Sequence, residues 1–250
     1  MIKGEWVDNA IVLRTGVFRE ADMWLRILCR ERGLVTVFAF GATRSRRRFC
    51  GCLDRLNTLL CHVRASGRGA FLNLTEATLV EGCQELRRNW RRMAVAANCL
   101  SFVEAMGVPA EGAADAFALV ETLRTTLERD AELPSLFTRY FRLRLAGALG
   151  VAPRLDVCER CSGDTLGRAL FLVNEGSVRC TRCPAPSVRY VVPLSEEALA
   201  LLRRVQRSFP TQWPEDEPLR EDRRCCAQAI DGFVQYHLGL DWRNGRFQST

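Results

Sequence analysis

Lysine and histidine are almost absent from this sequence of 250 residues, and their scarcity disfavours several classes of enzyme. The chain contains one lysine, Lys3, and two histidines, His62 and His237, beside 35 arginines. It has no Gly-x-x-x-x-Gly-Lys-Ser/Thr phosphate loop, no Gly-x-Gly-x-x-Gly dinucleotide motif and no His-Glu-x-x-His metal motif. An ATPase, a dinucleotide-dependent enzyme and a zinc hydrolase or deaminase are therefore disfavoured. We expect a binding protein and not an enzyme.

Long apolar segments are missing as well. No hydrophobic run approaches the ~18 residues that a membrane-spanning helix needs. Glu5 and Asp8 interrupt the segment where a signal peptide would be apolar. We therefore expect a cytoplasmic protein with no membrane partner. In that compartment the 12 cysteines are not a disulfide framework, so some, such as Cys29 and Cys99, are expected to be buried thiols and others to bind metal.

Positive charge is concentrated in the first third of the chain. The formal net charge is +7, and residues 1–80 hold 13 basic and 7 acidic side chains, a net charge of +6. Nearly every cation is a planar guanidinium, which suits bidentate contacts with phosphate and stacking on bases. The distribution favours an acidic partner, most often a nucleic acid, at the N-terminal part of the chain.

Stretches of β-branched and aromatic residues, separated by turn residues, follow one another through this basic segment. In the second of them, Met23, Leu25, Ile27 and Cys29 lie on one face of the predicted strand. The strands are predicted at residues 6–15, 22–30, 34–40, 56–65 and 70–77. Short strands at this spacing indicate a small barrel or a sandwich.

The hydrophobic period changes after residue 80 from that of strands to that of helices. Helices are predicted at residues 84–106, 113–129, 134–149, 195–208 and 216–238. The first has Leu86 and Trp90 on its apolar stripe, and the third has Phe137, Phe141 and Leu145, which we assign to the core. The predicted fold is α+β and multidomain, with a strand domain at 1–80, a helical part at 81–155, a cysteine module at 156–190 and a second helical part at 191–250.

The strongest motif is a pair of Cys-x-x-Cys sequences separated by 18 residues. Cys158 and Cys161 form the first, and Cys180 and Cys183 the second. This spacing is typical of a tetrahedral four-cysteine zinc site, in which the four thiolates leave no position for a catalytic water. We therefore predict structural zinc. Redox chemistry is the alternative, and it is disfavoured because the pairs are doubled and lack thioredoxin-like surroundings.

A second motif places four arginines within five residues, between the third and fourth predicted strands. They are Arg44, Arg46, Arg47 and Arg48, and Phe49 follows directly. We interpret this basic loop as a phosphate clamp in which Phe49 is available to stack on a base. The alternative is a solvated loop without a ligand. Other arginines of the strand domain would extend the DNA-binding surface: Arg14, Arg19, Arg55, Arg64 and Arg68.

In its order of parts, the chain resembles the bacterial recombination mediators of the RecO family. A basic small barrel, a helical middle and an inserted four-cysteine module follow one another as they do in that family. The local matches are residues 6–13, Glu20-Ala21-Asp22, Gly41-Ala42 with the arginines that follow, and the run from Phe141 to Cys161. The resemblance spans essentially the whole chain. There are two departures, since Phe40 stands where many relatives have a lysine and Thr43 interrupts the basic run.

The resemblance implies an oligonucleotide-binding (OB) fold at the N-terminus. It implies a protein that binds single- and double-stranded DNA, anneals complementary strands and, with RecR, helps RecA load onto DNA coated by single-strand-binding protein (SSB). It implies a nucleoid-associated role in the bacterial cytoplasm, and it leaves the need for RecF open. For the C-terminal tail of SSB it implies a groove in the helical domain, with Arg139 and Arg142 as candidate contacts.

A hypothesis from a different functional class is also compatible with the residues. It is a zinc-ribbon scaffold in transcription or ribosome assembly, whose basic loop meets RNA or only a protein. This alternative predicts no annealing and no preference for SSB-coated DNA. A metalloenzyme would need an open ligand position or a nearby acid/base group, and the sequence offers neither.

Overall fold

The computed structural model describes residues 4–49, 51–67, 70–129, 132–165, 167–184, 190–215 and 218–249. Arg68, one of the candidate DNA-binding residues, and Cys50 lie outside the described residues. The chain divides into two compact units. One is formed by Met1–Ala96 with Gly107–Glu128, and the other by Ala97–Met106 with Arg129–Thr250.

The first unit is built on a closed five-stranded β-barrel. Its strands are β1 (Glu5–Val17), β2 (Met23–Cys29), β3 (Gly33–Ala39), β4 (Thr58–Ala65) and β5 (Leu72–Glu81). Their order is β1-β2-β3-β5-β4, with β4 returning to β1; the β3–β5 pair is parallel and the other pairs are antiparallel. This is the arrangement of an OB fold, so the barrel is confirmed over the sandwich.

Alternation of side chains along the strands fills the barrel with apolar residues. Leu25, Ile27 and Cys29 of β2 are buried in this core, as their spacing predicts, and Met23 packs against it partly buried. The positions between them form the outer surface of the barrel. Arg14 of β1 and Arg64 of β4 lie on that surface.

β1 pairs with two neighbours along its length. Its first half pairs with β4 and its second half with β2, and the register with β2 shifts between Val12 and Arg14. Near its end, Gly16 lies against the indole ring of Trp24, where an added Cβ would be 2.5 Å from the indole nitrogen. Glycine at this position therefore lets Trp24 fold across β1 on the outer surface.

Two helices, α1 (Gln84–Arg88) and α2 (Trp90–Met106), replace the single helix predicted at residues 84–106. Asn89 separates them, because its backbone is extended and its side chain accepts a hydrogen bond from the backbone N–H of Arg92. The break leaves Trp90 74% exposed, so its assignment to the apolar stripe is wrong, whereas Leu86 is buried as predicted.

The next helix, α3 (Ala113–Glu128), packs against β1, β2 and β3. Just before it, the carbonyl of Val108 accepts a hydrogen bond of 2.8 Å from the Leu34 N–H. Within it, the buried Arg124 forms an ion pair with Glu81 at the end of β5, and this hydrogen bond lowers the pKa of the Glu81 carboxyl. These contacts join α3 to the barrel.

The second unit combines helices with a four-stranded sheet. The helices are α4 (Phe137–Ala148), α5 (Glu196–Arg207) and α6 (Arg220–Leu238); the strands are β6 (Arg154–Cys158), β7 (Ala169–Leu172), β8 (Ser177–Cys180) and β9 (Val191–Leu194). The sheet order is β6-β8-β7-β9, and β6 and β8 run parallel. Phe137, Phe141 and Leu145 are buried, which confirms their assignment to the core.

A C-terminal hairpin, formed by β10 (Leu240–Arg243) and β11 (Arg246–Ser249), was not predicted. Asn244 and Gly245 both have positive φ in its turn, and this Asn-Gly pair was the signal that could have revealed it. The Phe247 ring packs edge-to-face against Phe102, with ring centres 4.9 Å apart. This contact attaches the hairpin to α2.

No helix within the described ranges is long and apolar enough to span a membrane. The division into domains at 1–80, 81–155, 156–190 and 191–250 stays a prediction. The two compact units divide the chain within α2 and group α3 with the barrel.

Candidate metal centre and nucleic-acid interface

The four predicted cysteine ligands meet at one end of the four-stranded sheet. Cys158 ends β6 and Cys180 ends the parallel strand β8, so the turn after each strand brings its second cysteine to the same place. The Sγ atoms of Cys158, Cys161, Cys180 and Cys183 all lie within 4.8 Å of one another. The structure therefore contains a four-cysteine group that is placed to hold a metal ion.

The distances between the sulfurs fit tetrahedral coordination. The Sγ atoms of Cys158 and Cys183 are 3.9 Å apart, as are those of Cys161 and Cys180. Metal–sulfur bonds of about 2.3 Å in a tetrahedron place the sulfurs about 3.8 Å apart. A disulfide would need about 2.05 Å between sulfurs, so the group has the spacing of a metal site and not of a pair of disulfides.

The surroundings of the cluster act in opposite directions on the pKa values of two of its cysteines. Burial opposes ionisation of Cys158, yet backbone N–H groups, including that of Cys180 at 3.4 Å from its Sγ, lower its pKa to about 6. Burial and the three neighbouring thiol groups raise the pKa of Cys183 to about 12. A cation at the centre would remove this conflict by attracting all four sulfurs.

The remaining described cysteines lie apart from this group. Cys29 and Cys99 are buried, as predicted, and burial raises the pKa of both thiols far above the ordinary value. Cys52 is buried in the barrel core, and Cys226 is buried with its sulfur 3.8 Å from the carbonyl of Ala198. These thiols have the surroundings of packing residues.

The basic loop crosses from β3 to β4 on the surface of the barrel. Its arginines Arg44, Arg46, Arg47 and Arg48 are all exposed. The loop is nevertheless held in place, because the Gly41 N–H donates to the Asp22 carboxylate at 2.8 Å. Arg44 forms an ion pair with Glu20, and Arg48 donates to the carbonyl of Phe40 at 2.7 Å. The loop is therefore anchored to the barrel while its four arginines stay exposed.

Phe49 does not have the position that base stacking requires. It is 1% exposed and belongs to the core of the barrel, where it closes the loop from inside. The Arg48 guanidinium lies over its ring, 5.0 Å from the ring centre. The prediction that Phe49 is available to a base is therefore wrong: its apolar ring gains more from the core than from the surface.

Two of the outlying arginines lie over aromatic rings on the outside of the barrel. Arg14 lies over Trp24 and Arg19 over Phe18, each with its guanidinium carbon 5.7 Å from the ring centre. Arg64 pairs with Glu5 on the exposed surface, and Arg55 donates to the carbonyl of Leu13. The binding role of Arg14 and Arg19 stays a prediction.

Comparisons with known proteins decide the family. The family model described as Recombination protein O N terminal matches residues 1–83, and the one described as Recombination protein O C terminal matches residues 87–246. The chain belongs to the RecO family. The DNA repair protein RecO of Nitratidesulfovibrio vulgaris is 46% identical over 250 residues, which cover 98% of this chain and 99% of that protein.

Other relatives support the same conclusion. The DNA repair protein RecO of Oleidesulfovibrio alaskensis is 44% identical over 249 residues, covering 98% of this chain and 99% of its own. That of Lawsonia intracellularis is 37% identical over 249 residues, covering 97% and 98%. Membership of the RecO family places the chain in DNA repair and recombination and confirms the resemblance seen in the sequence.

The two arginines proposed for the SSB tail of a RecO protein differ in their surroundings. Arg139 is about one-third exposed and donates to the Asp231 carboxylate at 2.8 Å. Arg142 is 10% exposed; it donates to the same carboxylate at 3.1 Å and to Asn98 at 3.2 Å, and its guanidinium lies over the Phe247 ring. Burial lowers the pKa of Arg142, and Asp231 opposes that shift. The geometry gives Arg142 a structural role between α4, α6 and the hairpin.

A cluster of phenylalanines, which the sequence patterns did not predict, lies beside the basic loop. Phe18, Phe38, Phe40 and Phe71 contact one another on the outside of the barrel. Phe38 and Phe40 are two positions apart in one strand and its extension, so strand periodicity could have placed them together. No local pattern joins them to Phe18 and Phe71.

Arg142→Ala should destabilise the fold, whereas Arg139→Ala should have little effect. Removing Arg142 leaves Asn98 and Asp231 without its charge-assisted hydrogen bonds, so we expect a loss of about 2 kcal/mol in the free energy of unfolding. The more exposed Arg139 should cost below about 1 kcal/mol. Urea denaturation followed by circular dichroism measures both values, and equal stabilities for the two variants would contradict the structural role of Arg142.

Proposed function

We propose that this protein is a DNA-binding recombination mediator that anneals complementary single strands. With RecR, it helps RecA load onto SSB-coated DNA in the bacterial cytoplasm, at the nucleoid. The observation that carries this proposal is the exposed arginine loop, residues 44–48, on the OB barrel of a RecO-family chain. Its proposed ligands are single- and double-stranded DNA. Its proposed protein partners are RecR, the SSB tail and RecF.

The charge of the loop supplies the physical basis for binding. Arginines that neutralise phosphates release condensed counterions, and this sequence-independent gain drives association with any nucleic acid strand. Guanidinium groups also form bidentate contacts with phosphate oxygens, which orient a backbone along the barrel. Because these contacts leave base edges unoccupied, a bound strand keeps its capacity to pair.

Annealing by this route requires no catalytic residue. Two strands repel each other through their phosphates, and a cationic surface that binds both lowers that repulsion. Pairing then forms no covalent bond and consumes no nucleotide, in agreement with the absence of a phosphate-loop motif from the sequence. We therefore propose that the protein acts by binding and not as an enzyme.

We propose that the metal held by Cys158, Cys161, Cys180 and Cys183 is structural zinc. Thiolate ligands in a tetrahedral arrangement select Zn²⁺ or an iron–sulfur centre among common metals, and four of them fill the zinc coordination shell. Such a site contributes on the order of 10 kcal/mol to the folding of the segment that holds it. The ion would fix the turns after β6 and β8.

Of the two candidate contacts for the SSB tail, Arg139 has the surroundings that binding needs. Its side chain is about one-third exposed, and a carboxylate of the tail could share its guanidinium with Asp231. Arg142 would act by holding α4 and Asp231 in place.

Annealing of SSB-coated strands is the experiment that tests the mediator role. Two complementary oligonucleotides, each coated with cognate SSB, should form duplex faster when the protein is added without ATP, because the cationic surface lowers phosphate repulsion. The same strands without SSB serve as the control. No acceleration of either reaction would contradict the proposal and leave an RNA- or protein-binding scaffold.

Replacing Arg44, Arg46, Arg47 and Arg48 by glutamine should weaken the salt dependence of single-strand binding. The slope of log K against log[salt] should fall by about 0.7 for every phosphate contact that is lost. Fluorescence anisotropy of a labelled oligonucleotide at several salt concentrations gives the slope. A matched control replaces four exposed arginines outside the loop: Arg91, Arg168, Arg220 and Arg246. Equal slopes for both variants would contradict the role of the loop.

Cys180→Ser should release the metal and destabilise the zinc module. We expect elemental analysis to find about one zinc per chain in the unaltered protein and much less in the variant. Its thermal unfolding should begin at a lower temperature, while the DNA affinity of the folded fraction stays the same. Cys225→Ser, outside the cluster, is the control. A zinc-free Cys180→Ser protein with unaltered thermal stability would contradict a structural site.

A further inference from the structure

Four phenylalanine rings form a closed cluster on the outside of the barrel. Phe38 and Phe40 lie on the same face of β3 and its extension, and Phe18 and Phe71 each contact both of them edge-to-face. The centres of contacting rings are 5.4 to 6.2 Å apart. The four rings are called the phenylalanine cluster below. Its members do not belong to the core of the barrel, which the other face of β3 fills.

The cluster is open to solvent. Phe18 is 39% exposed and Phe71 is 41% exposed, although each has two ring neighbours. Burial of a large aromatic side chain in a core is favourable. A group of such side chains left exposed together therefore indicates a binding site. Two hydrogen bonds to Ser66 fix the backbone of Phe71: the Phe71 N–H donates to the Ser66 hydroxyl, and the Phe71 carbonyl accepts from the Ser66 N–H.

The cluster lies on the face of the barrel with which OB folds bind their ligands. OB folds bind oligonucleotides on the face of strands two and three and on the loops that join strands one to two and four to five. Phe38 lies on β3, Phe18 follows β1 and Phe71 precedes β5. The cluster therefore joins all three of these regions.

Positive charge borders the cluster. Arg19 lies over the ring of Phe18, and Arg48 of the basic loop donates to the Phe40 carbonyl at 2.7 Å. Glu20 also lies at this edge, where Arg44 neutralises it in an ion pair. A second copy of this chain would bring arginines against arginines if the face were shared symmetrically, and like charges oppose such a contact. A polyanion with flat apolar groups fits both features.

We propose that the phenylalanine cluster stacks the unpaired bases of a single strand while the basic loop holds its phosphates. This inference rests on the proposed function and adds strand selectivity to it. Every base has a flat π-face, so stacking tolerates any sequence. In a duplex those faces are covered by neighbouring base pairs. The cluster should therefore favour single-stranded over double-stranded nucleic acid, whereas the arginines alone would bind both.

The experiment compares two double variants at the exposed members of the cluster. Phe18→Leu with Phe71→Leu keeps an apolar side chain but removes the flat ring, and Phe18→Tyr with Phe71→Tyr keeps the ring. The leucine variant should bind a labelled oligo(dT) strand about tenfold or more weakly. Its affinity for duplex and its salt slope should not change. The tyrosine variant should bind like the unaltered protein.

An optical readout separates stacking from packing. A single strand that contains 2-aminopurine should lose fluorescence when it binds the unaltered protein and the tyrosine variant, because stacking quenches that base. The leucine variant should quench it much less at saturation. Val7→Ala with Leu79→Ala, at two residues that are each 49% exposed on the same barrel, is the matched control and should leave quenching unchanged.

Three results would overturn the inference. One is a leucine variant that binds and quenches like the unaltered protein; another is an equal loss of single-strand and duplex affinity, which would indicate packing alone. The third is a dimer in gel filtration that the leucine variant dissociates, which would assign the cluster to a second copy. If the loop variant flattens the salt slope while the leucine variant changes nothing, only this inference fails. An unaltered slope in the loop variant refutes the proposed phosphate contacts by itself.

Discussion

Closure of the barrel is the constraint on which the N-terminal half of this protein depends. Once β4 pairs with β1, every strand residue faces either a dry interior or the outside, and the alternation leaves no third choice. Apolar residues such as Leu25 and Ile27 supply the stability of the interior. The outer positions do not contribute to the packing of the interior, so arginines and phenylalanines can occupy them without weakening the core.

The sheet of the second unit is built from short strands. Its strands are four or five residues long, and two of them end at cysteines that face one another. A metal ion bound at that point would fix the turns that follow these two strands. Helices α4 and α6 also share ionic contacts, in which the Asp231 carboxylate accepts hydrogen bonds from Arg139 and Arg142.

The spacing of residues along the chain predicted the elements that depend on contacts between nearby residues. The strands of the barrel, the apolar stripe of α4 and the cysteine ligands all follow from spacing along the chain. The failures include contacts between residues far apart in sequence, single residues with a capping role and one short hairpin whose Asn-Gly turn is a local signal. Asn89 interrupts a helix whose apolar period continues through it, and Phe49 enters the core although its neighbours are charged. The phenylalanine cluster joins three separate segments, so no window of sequence contains it.

The burial of Phe49 has a consequence for the energetics of the loop. With Ala42 at one end and Phe49 at the other, both inside the barrel core, the loop is tied at two points. The backbone of the loop is therefore already ordered, and in the proposed complex binding would not include the loss of chain entropy that ordering a flexible loop requires. Phe49, which the sequence predicted to stack on a base, thus anchors the loop from inside the barrel core.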